Sequence, residues 1–151
     1  MARTFFEELI ANRPLMAAMT AWLLAQLLKV PFHYLFTKQW SIWRIFGSGG
    51  MPSSHSAATL TLAVSIGFER GFDSPLFAAT IVLAGIVMYD AAGVRRAAGK
   101  QAGVINDIIE MLNEHQEITD EKLKELIGHT PIEVIGGAIL GIIISLLFGY
   151  R

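Results

Sequence analysis

Gly47-Ser48-Gly49-Gly50-Met51-Pro52-Ser53-Ser54-His55-Ser56 is the stretch on which the reading of the whole chain turns. It runs directly into a helical segment at 57–68. Glycines let backbone N–H groups come close to a ligand. The first turn of a helix adds unpaired N–H donors and a positive dipole end. Hydroxyls and one imidazole stand at the same point. Such a turn suits an anion, and phosphate above all. Gly50, Ser53 and Ser54 are its candidate phosphate contacts, with the N–H groups of residues 50–54 as a cradle.

The sequence on either side is apolar. About 20 residues cross a hydrocarbon core, and four segments come near that length: 14–36, 52–68, 75–94 and 131–150. The expected fold is therefore all-α: an integral membrane helical bundle of about four transmembrane helices. Composition agrees. Apolar residues make up 53% of the 151 and charged ones 17%, below the share of roughly a quarter usual in soluble domains. The net charge of −1 excludes a typical nucleic-acid binder, and the absence of cysteine excludes disulfides and thiolate metal sites. Acidic residues precede the first apolar segment, which is not the pattern of a cleavable signal. No internal repeat or second domain interrupts residues 1–151, which read as a single domain.

One polar region, about 97–128, lies between the third and fourth spans. Ile105, Ile108, Ile109 and Leu112 recur at helical spacing within 101–114 and mark an amphipathic helix. Thr119 can cap a second helix carrying Leu123, Leu126 and Ile127, with Gly128 as its stop. These helices can lie on the bilayer or pack over the site as a lid. In the fourth span, Gly137 and Gly141 have a small-xxx-small spacing. It serves packing inside the chain or a homodimer through these two glycines.

An even number of spans puts both termini on one side. The turn at 47–56, the end of the third span at Arg95-Arg96, and the start of the fourth at His129-Thr130-Pro131-Ile132-Glu133 then share the opposite face. Lys29 lies in that half of the first span.

Each of these residues has a plain reading and a chemical one. His55 is either an interfacial histidine beside a serine cap or a general acid. Arg95 and Arg96 either anchor the interface or grip phosphate oxygens, and spacing does not choose between them. Lys29 snorkels or binds phosphate, and Lys38 competes with it for that role. Asp90 reads as a structural ion-pair partner and Lys100 as a solvated charge. Thr130-Pro131-Ile132-Glu133 fits a capping box with proline at the first helical position. His129, four residues before Glu133, can have its tautomer set by that carboxylate. Two histidines and one glutamate, with no further clear ligand, make a weak metal site, so neither metal nor cofactor is expected.

Taken together, these motifs resemble the type-2 phosphatidic acid phosphatase superfamily, the lipid phosphatases related to vanadium haloperoxidases, and specifically a divergent short branch of it. The resemblance covers about 14–150. It rests on G-G-M-P-S-S-H-S, on Asp90-Ala-Ala-Gly-Val-Arg-Arg, and on Gly128-His-Thr-Pro-Ile-Glu-Val-Ile-Gly-Gly. The superfamily pattern is K-x6-R-P, P-S-G-H and S-R-x5-H-x3-D. Pro52-Ser-Ser-His55 matches the second motif with Ser54 for glycine. His129-Thr-Pro-Ile-Glu133 matches H-x3-D with glutamate for aspartate. About thirty residues separate Arg96 from His129 where the pattern has five. Lys38 and Arg44 fit the first motif poorly.

The resemblance implies that His129 is a nucleophile forming a phosphohistidine, that Glu133 orients it, and that His55 protonates the leaving oxygen. Lys29, Arg95 or Arg96, and the 50–54 turn would hold the phosphate. The implied substrate is a lipid or isoprenoid phosphate drawn from membrane lipids. The alternative is a non-catalytic scaffold or transporter that binds a phospholipid headgroup or anion in the same pocket. Lysine and arginine are denser on the face carrying these motifs, which points the site to the cytoplasmic face of the inner membrane.

Overall fold

The computed structural model describes residues 4–47, 49–113 and 128–149. Among these every regular element is helical. In chain order they are α1 (Phe5–Ala11), α2 (Arg13–Thr37), α3 (Ser54–Arg70), α4 (Pro75–Ala92), α5 (Val94–Asn113) and α6 (Pro131–Leu147), with a 3-10 turn at Ile42–Phe46 between α2 and α3.

Local chemistry explains where the helices begin. Asn12, Ser53, Ser74 and Thr130 each cap a helix by accepting a backbone N–H three residues on. Pro14, Pro75 and Pro131 sit in first turns, where their missing N–H costs nothing. The box at Thr130 and Glu133 forms as its sequence implies. α2 continues through Pro31 and ends at Lys38, which is left-handed with φ 59°. Only Gly93 separates α4 from α5, so α5 begins at Val94, seven residues before the expected 101. No proline or capping side chain intervenes there, and Arg95-Arg96-Ala97-Ala98 are good helix formers.

α3 is the centre of the bundle and packs against α2, α4 and α6. The contacts are built from small residues. Ala17, Ala21, Ala25 and Lys29 form one buried stripe of α2 at four-residue spacing. Gly137 and Gly141 bring α6 onto α3 so closely that a Cβ on Gly137 would collide with the Ser53 carbonyl oxygen. On Gly141 it would lie 2.8 Å from the Ala57 carbonyl oxygen. The glycine spacing is thus used inside the chain. Of its two readings, packing inside the chain is the one these contacts use.

Polar groups tie the same seam. Thr61 Oγ1 donates within 2.6 Å of the Ala57 carbonyl oxygen, and Ser145 Oγ donates to the Thr61 carbonyl oxygen at 3.2 Å. The large apolar side chains point outward instead. Leu23, Leu27, Leu83, Ile86, Ile139, Ile143 and Leu146 are all exposed. An interior of alanine, glycine, serine and threonine beneath an exterior of leucine and isoleucine is the arrangement of a lipid-facing bundle. Two stretches, Arg13–Thr37 and Pro75–Met111, are long and apolar enough to cross a membrane, and Pro131–Leu147 is apolar but shorter. The second helix expected in the polar region, at 119–127, lies outside the described residues.

Candidate active site

The site forms where the last part of α2, the start of α3, the α4–α5 junction and the start of α6 meet. Backbone contacts hold this meeting point together. An α-helix leaves its last carbonyls without intrahelical partners. In the last turn of α4, the Ala91 carbonyl oxygen accepts the His129 N–H at 2.9 Å. The preceding residue, Gly128, has φ 102° and presses on the backbone of Arg95 and Arg96, where a Cβ would clash. The long sequence gap between the arginines and His129 is closed in this way. On the other side, the Ser53 N–H donates to the Glu133 carbonyl oxygen at 3.0 Å.

His129 is 2% exposed. Its Nδ1 lies 3.0 Å from Glu133 Oε2, which also accepts the Thr130 N–H at 3.1 Å. An ionised carboxylate only accepts, so Nδ1 carries the proton. Nε2 is left with its lone pair, and it is buried with no hydrogen-bond partner among the described residues. Glu133 therefore serves both as the third residue of the capping box and as the orienting partner of His129. The His55 ring stands 6.3 Å from the His129 ring, centroid to centroid, at 64°.

Lys29 is equally buried, at 2% exposed, and its Nζ donates to the Gly47 carbonyl oxygen at 2.7 Å. It thus ties α2 to the glycine-rich turn. A cavity of about 710 Å³ opens beside it. Lys29, Arg44, Arg96 and Lys100 bring cations to the cavity, and His129 and Glu133 bring the imidazole–carboxylate pair. Phe32, Phe36, Met51 and Ile132 give it apolar walls, and Gly49 and Gly50 reach it from the turn.

The structure separates residues that the sequence left together. Arg96 lines the cavity, whereas Arg95 Nε pairs with Asp90 Oδ2 at 2.7 Å on the surface. Arg95 and Lys29 nevertheless lie within electrostatic reach of His55, which does not line the cavity itself. Ser53 and Ser54 are buried and also lie off the cavity. Ser53 Oγ accepts from the Ser56 N–H and hydroxyl, and the Ser53 N–H is taken by Glu133. Of the expected cradle at 50–54, Pro52 has no N–H, the Ser53 N–H is spent on Glu133, and Gly50 and Met51 line the cavity. Ser48 lies outside the described residues.

Two cations that the sequence reading set aside also reach the cavity. Lys100 is exposed, as a solvated charge would be, yet it lines the cavity. Its place one helical turn after Arg96 was the available signal. Arg44, weighed above only as a poor fit to the first motif, is presented by the 3-10 turn at Ile42–Phe46.

The family described as the Divergent PAP2 family matches residues 10–144. The "Uncharacterized membrane protein YuiD" of Bacillus subtilis (strain 168) is 42% identical over 156 residues, spanning 95% of this chain and 98% of that protein. No solved structure matches the chain. A match from before α2 to the last turns of α6, over the paired His129 and Glu133 and the P-S-S-H turn, makes this chain a member of the Divergent PAP2 family.

Proposed function

We propose that the protein is a membrane phosphatase that hydrolyses a lipid or isoprenoid phosphate through a phosphohistidine. The observation that carries this reading is His129. Its Nδ1 is held by Glu133, its Nε2 has no hydrogen-bond partner among the described residues, and it borders a cavity walled by cations and apolar side chains. A nucleophile with its tautomer fixed by a third group is what covalent phosphoryl transfer requires.

In the proposed reaction, Nε2 attacks phosphorus as the bond to the leaving oxygen breaks. His55 donates its proton to that oxygen. Water then attacks the phosphohistidine, gives its proton to the now neutral His55, and the N–P bond breaks to release phosphate. Lys29 and Arg96 offset the charge on the equatorial oxygens, with Gly50 at the same wall. The cavity's apolar side would take the first part of the lipid chain. In the same reading α2, α3, α4 and α6 are four crossings, and the site faces the cytoplasm.

Phosphate release from a panel of lipid and isoprenoid phosphates in mixed micelles tests this. The parent should turn over at least one of them, and His129→Ala should lower kcat by about 10³-fold or more. An alkaline denaturing quench should trap a base-stable, acid-labile phosphoprotein in the parent alone. Tight binding without turnover would instead support a headgroup-binding scaffold. Equal rates in the parent, His55→Ala and His129→Ala would sink the mechanism.

A further inference from the structure

α5 divides its surface between two environments. Arg96, Gly99, Lys100 and Gly103 line the cavity. Successive helical residues advance by about 100°, which places these four on one side together with Asp107 and Glu110. The adjoining side, about 60° to 180° round the helix from Arg96, carries Met111, Val104, Ile108 and Ile105, which are 72%, 58%, 50% and 44% exposed. Among the described elements, α4 alone runs close to α5.

Length says what covers that apolar side. The helical run Pro75–Met111 has 37 residues, and its α5 half carries Arg95, Arg96, Lys100, Asp107 and Glu110. At about 1.5 Å per residue it is roughly 55 Å long, nearly twice a hydrocarbon core of about 30 Å. α4 alone, with 18 residues, is about 27 Å and fills the core. α5 must therefore leave the core, and Arg95, Arg96 and Lys100 crowd its first turns. The helix breaks at Gly93, with φ −103° and ψ −83°. The outward Val82, Leu83 and Ile86 of α4 lead up to this break.

We propose that α5 lies in the membrane–water interface of a phospholipid bilayer. Val104, Ile105, Ile108 and Met111 enter the acyl boundary, and the glycine-and-cation side roofs the cavity. An amphipathic helix of this pattern buries its apolar side about 5–10 Å deep. Lipid then holds Arg96 and Lys100 in place at the site. The proposal rests on membrane association and not on phosphoryl transfer, so the two readings fail separately.

The chain has no cysteine, which makes single labels straightforward. Nitroxides are attached at Val104→Cys, Ile108→Cys, Met111→Cys, Asp107→Cys and Glu110→Cys in the full chain. The protein is reconstituted into phosphatidylcholine–phosphatidylglycerol vesicles. Gly85→Cys is the lipid reference, because a Cβ there meets nothing within 4 Å. Collision with oxygen should exceed collision with a water-soluble nickel chelate at 85, 104, 108 and 111, and the order should reverse at 107 and 110. Nickel access at 104, 108 and 111 would put α5 in water and overturn the proposal. Shielding from both reagents there would mean that protein, a second copy included, covers the face, and would overturn it as well. Nickel access at 85 would remove the α4 anchor on which it depends.

Discussion

The backbone N–H of Ser53 donates to the carbonyl oxygen of Glu133 at 3.0 Å. This one bond joins the capping residue of α3 to the first turn of α6. His55 follows Ser53 by two residues, and His129 precedes Glu133 by four, so the bond also sets how the two imidazoles face each other. Gly137 lies directly beneath the contact, where any side chain would strike the Ser53 carbonyl.

Gly137→Ala should therefore destabilise the protein more than a helical glycine-to-alanine change normally does. Overpacking of this kind costs about 1–3 kcal/mol. Gly85→Ala, with open space around its Cβ, should be neutral or stabilising by up to about 1 kcal/mol. Thermal unfolding in detergent reads both. A Gly137→Ala variant as stable as the Gly85→Ala one would contradict the close α3–α6 contact.

Glu133→Gln tests the orientation of His129. The amide can offer an N–H where the carboxylate only accepted, which favours the opposite imidazole tautomer. Its oxygen can still complete the capping box. In the proposed reaction kcat should fall by about 10²- to 10⁴-fold, in line with other histidines that lose a carboxylate partner. Helicity should be retained. Nitrogen-15 shifts of the His129 ring give the tautomer directly, and an unchanged pattern would remove Glu133 from this role.

Arg96→Gln and Arg95→Gln should differ. Arg96 faces the cavity, and loss of a charge-assisted contact to a phosphate is worth about 1.5–3 kcal/mol, or roughly 10- to 150-fold in kcat/KM. Arg95 is occupied by an exposed pair with Asp90, of a kind worth at most about 1 kcal/mol. Steady-state kinetics on one lipid phosphate separates them. A larger loss in Arg95→Gln would move the phosphate toward His55, where Arg95 is in reach.

Lys29→Met keeps much of the volume of the side chain and removes its donor. The Gly47 carbonyl oxygen would lose the bond it accepts at 2.7 Å, at a cost of about 1–3 kcal/mol if it stays buried. Both melting temperature and substrate affinity should fall. Stability at the parent level would show that the contact with Gly47 is incidental, leaving Lys29 to the substrate alone.

Much of this was legible in the chain. The serine cap beside His55 and Thr130 announced two of the helices, and the apolar segments announced a helical membrane protein. The box at Thr130 and Glu133 could be read from four letters. These signals are local, because a cap or a first-turn proline acts within one helical turn. The sequence also named His55, His129, Glu133 and Lys29 as candidates, through residue type and resemblance.

Tertiary structure decided which candidates share a wall. Arg95 and Arg96 are neighbours in sequence, and only the rotation of α5 sends one to Asp90 and the other to the cavity. Ser53 looked free to hold an anion until α6 took its N–H. Arg44 and Lys100, set aside as a poor motif match and a solvated charge, gained a place in the site only once α2, α5 and α6 enclosed a common space. A composition pattern records what each residue can do within its own turn. Which donor remains unspent depends on chains of packing that connect residues as far apart as Ser53 and Glu133.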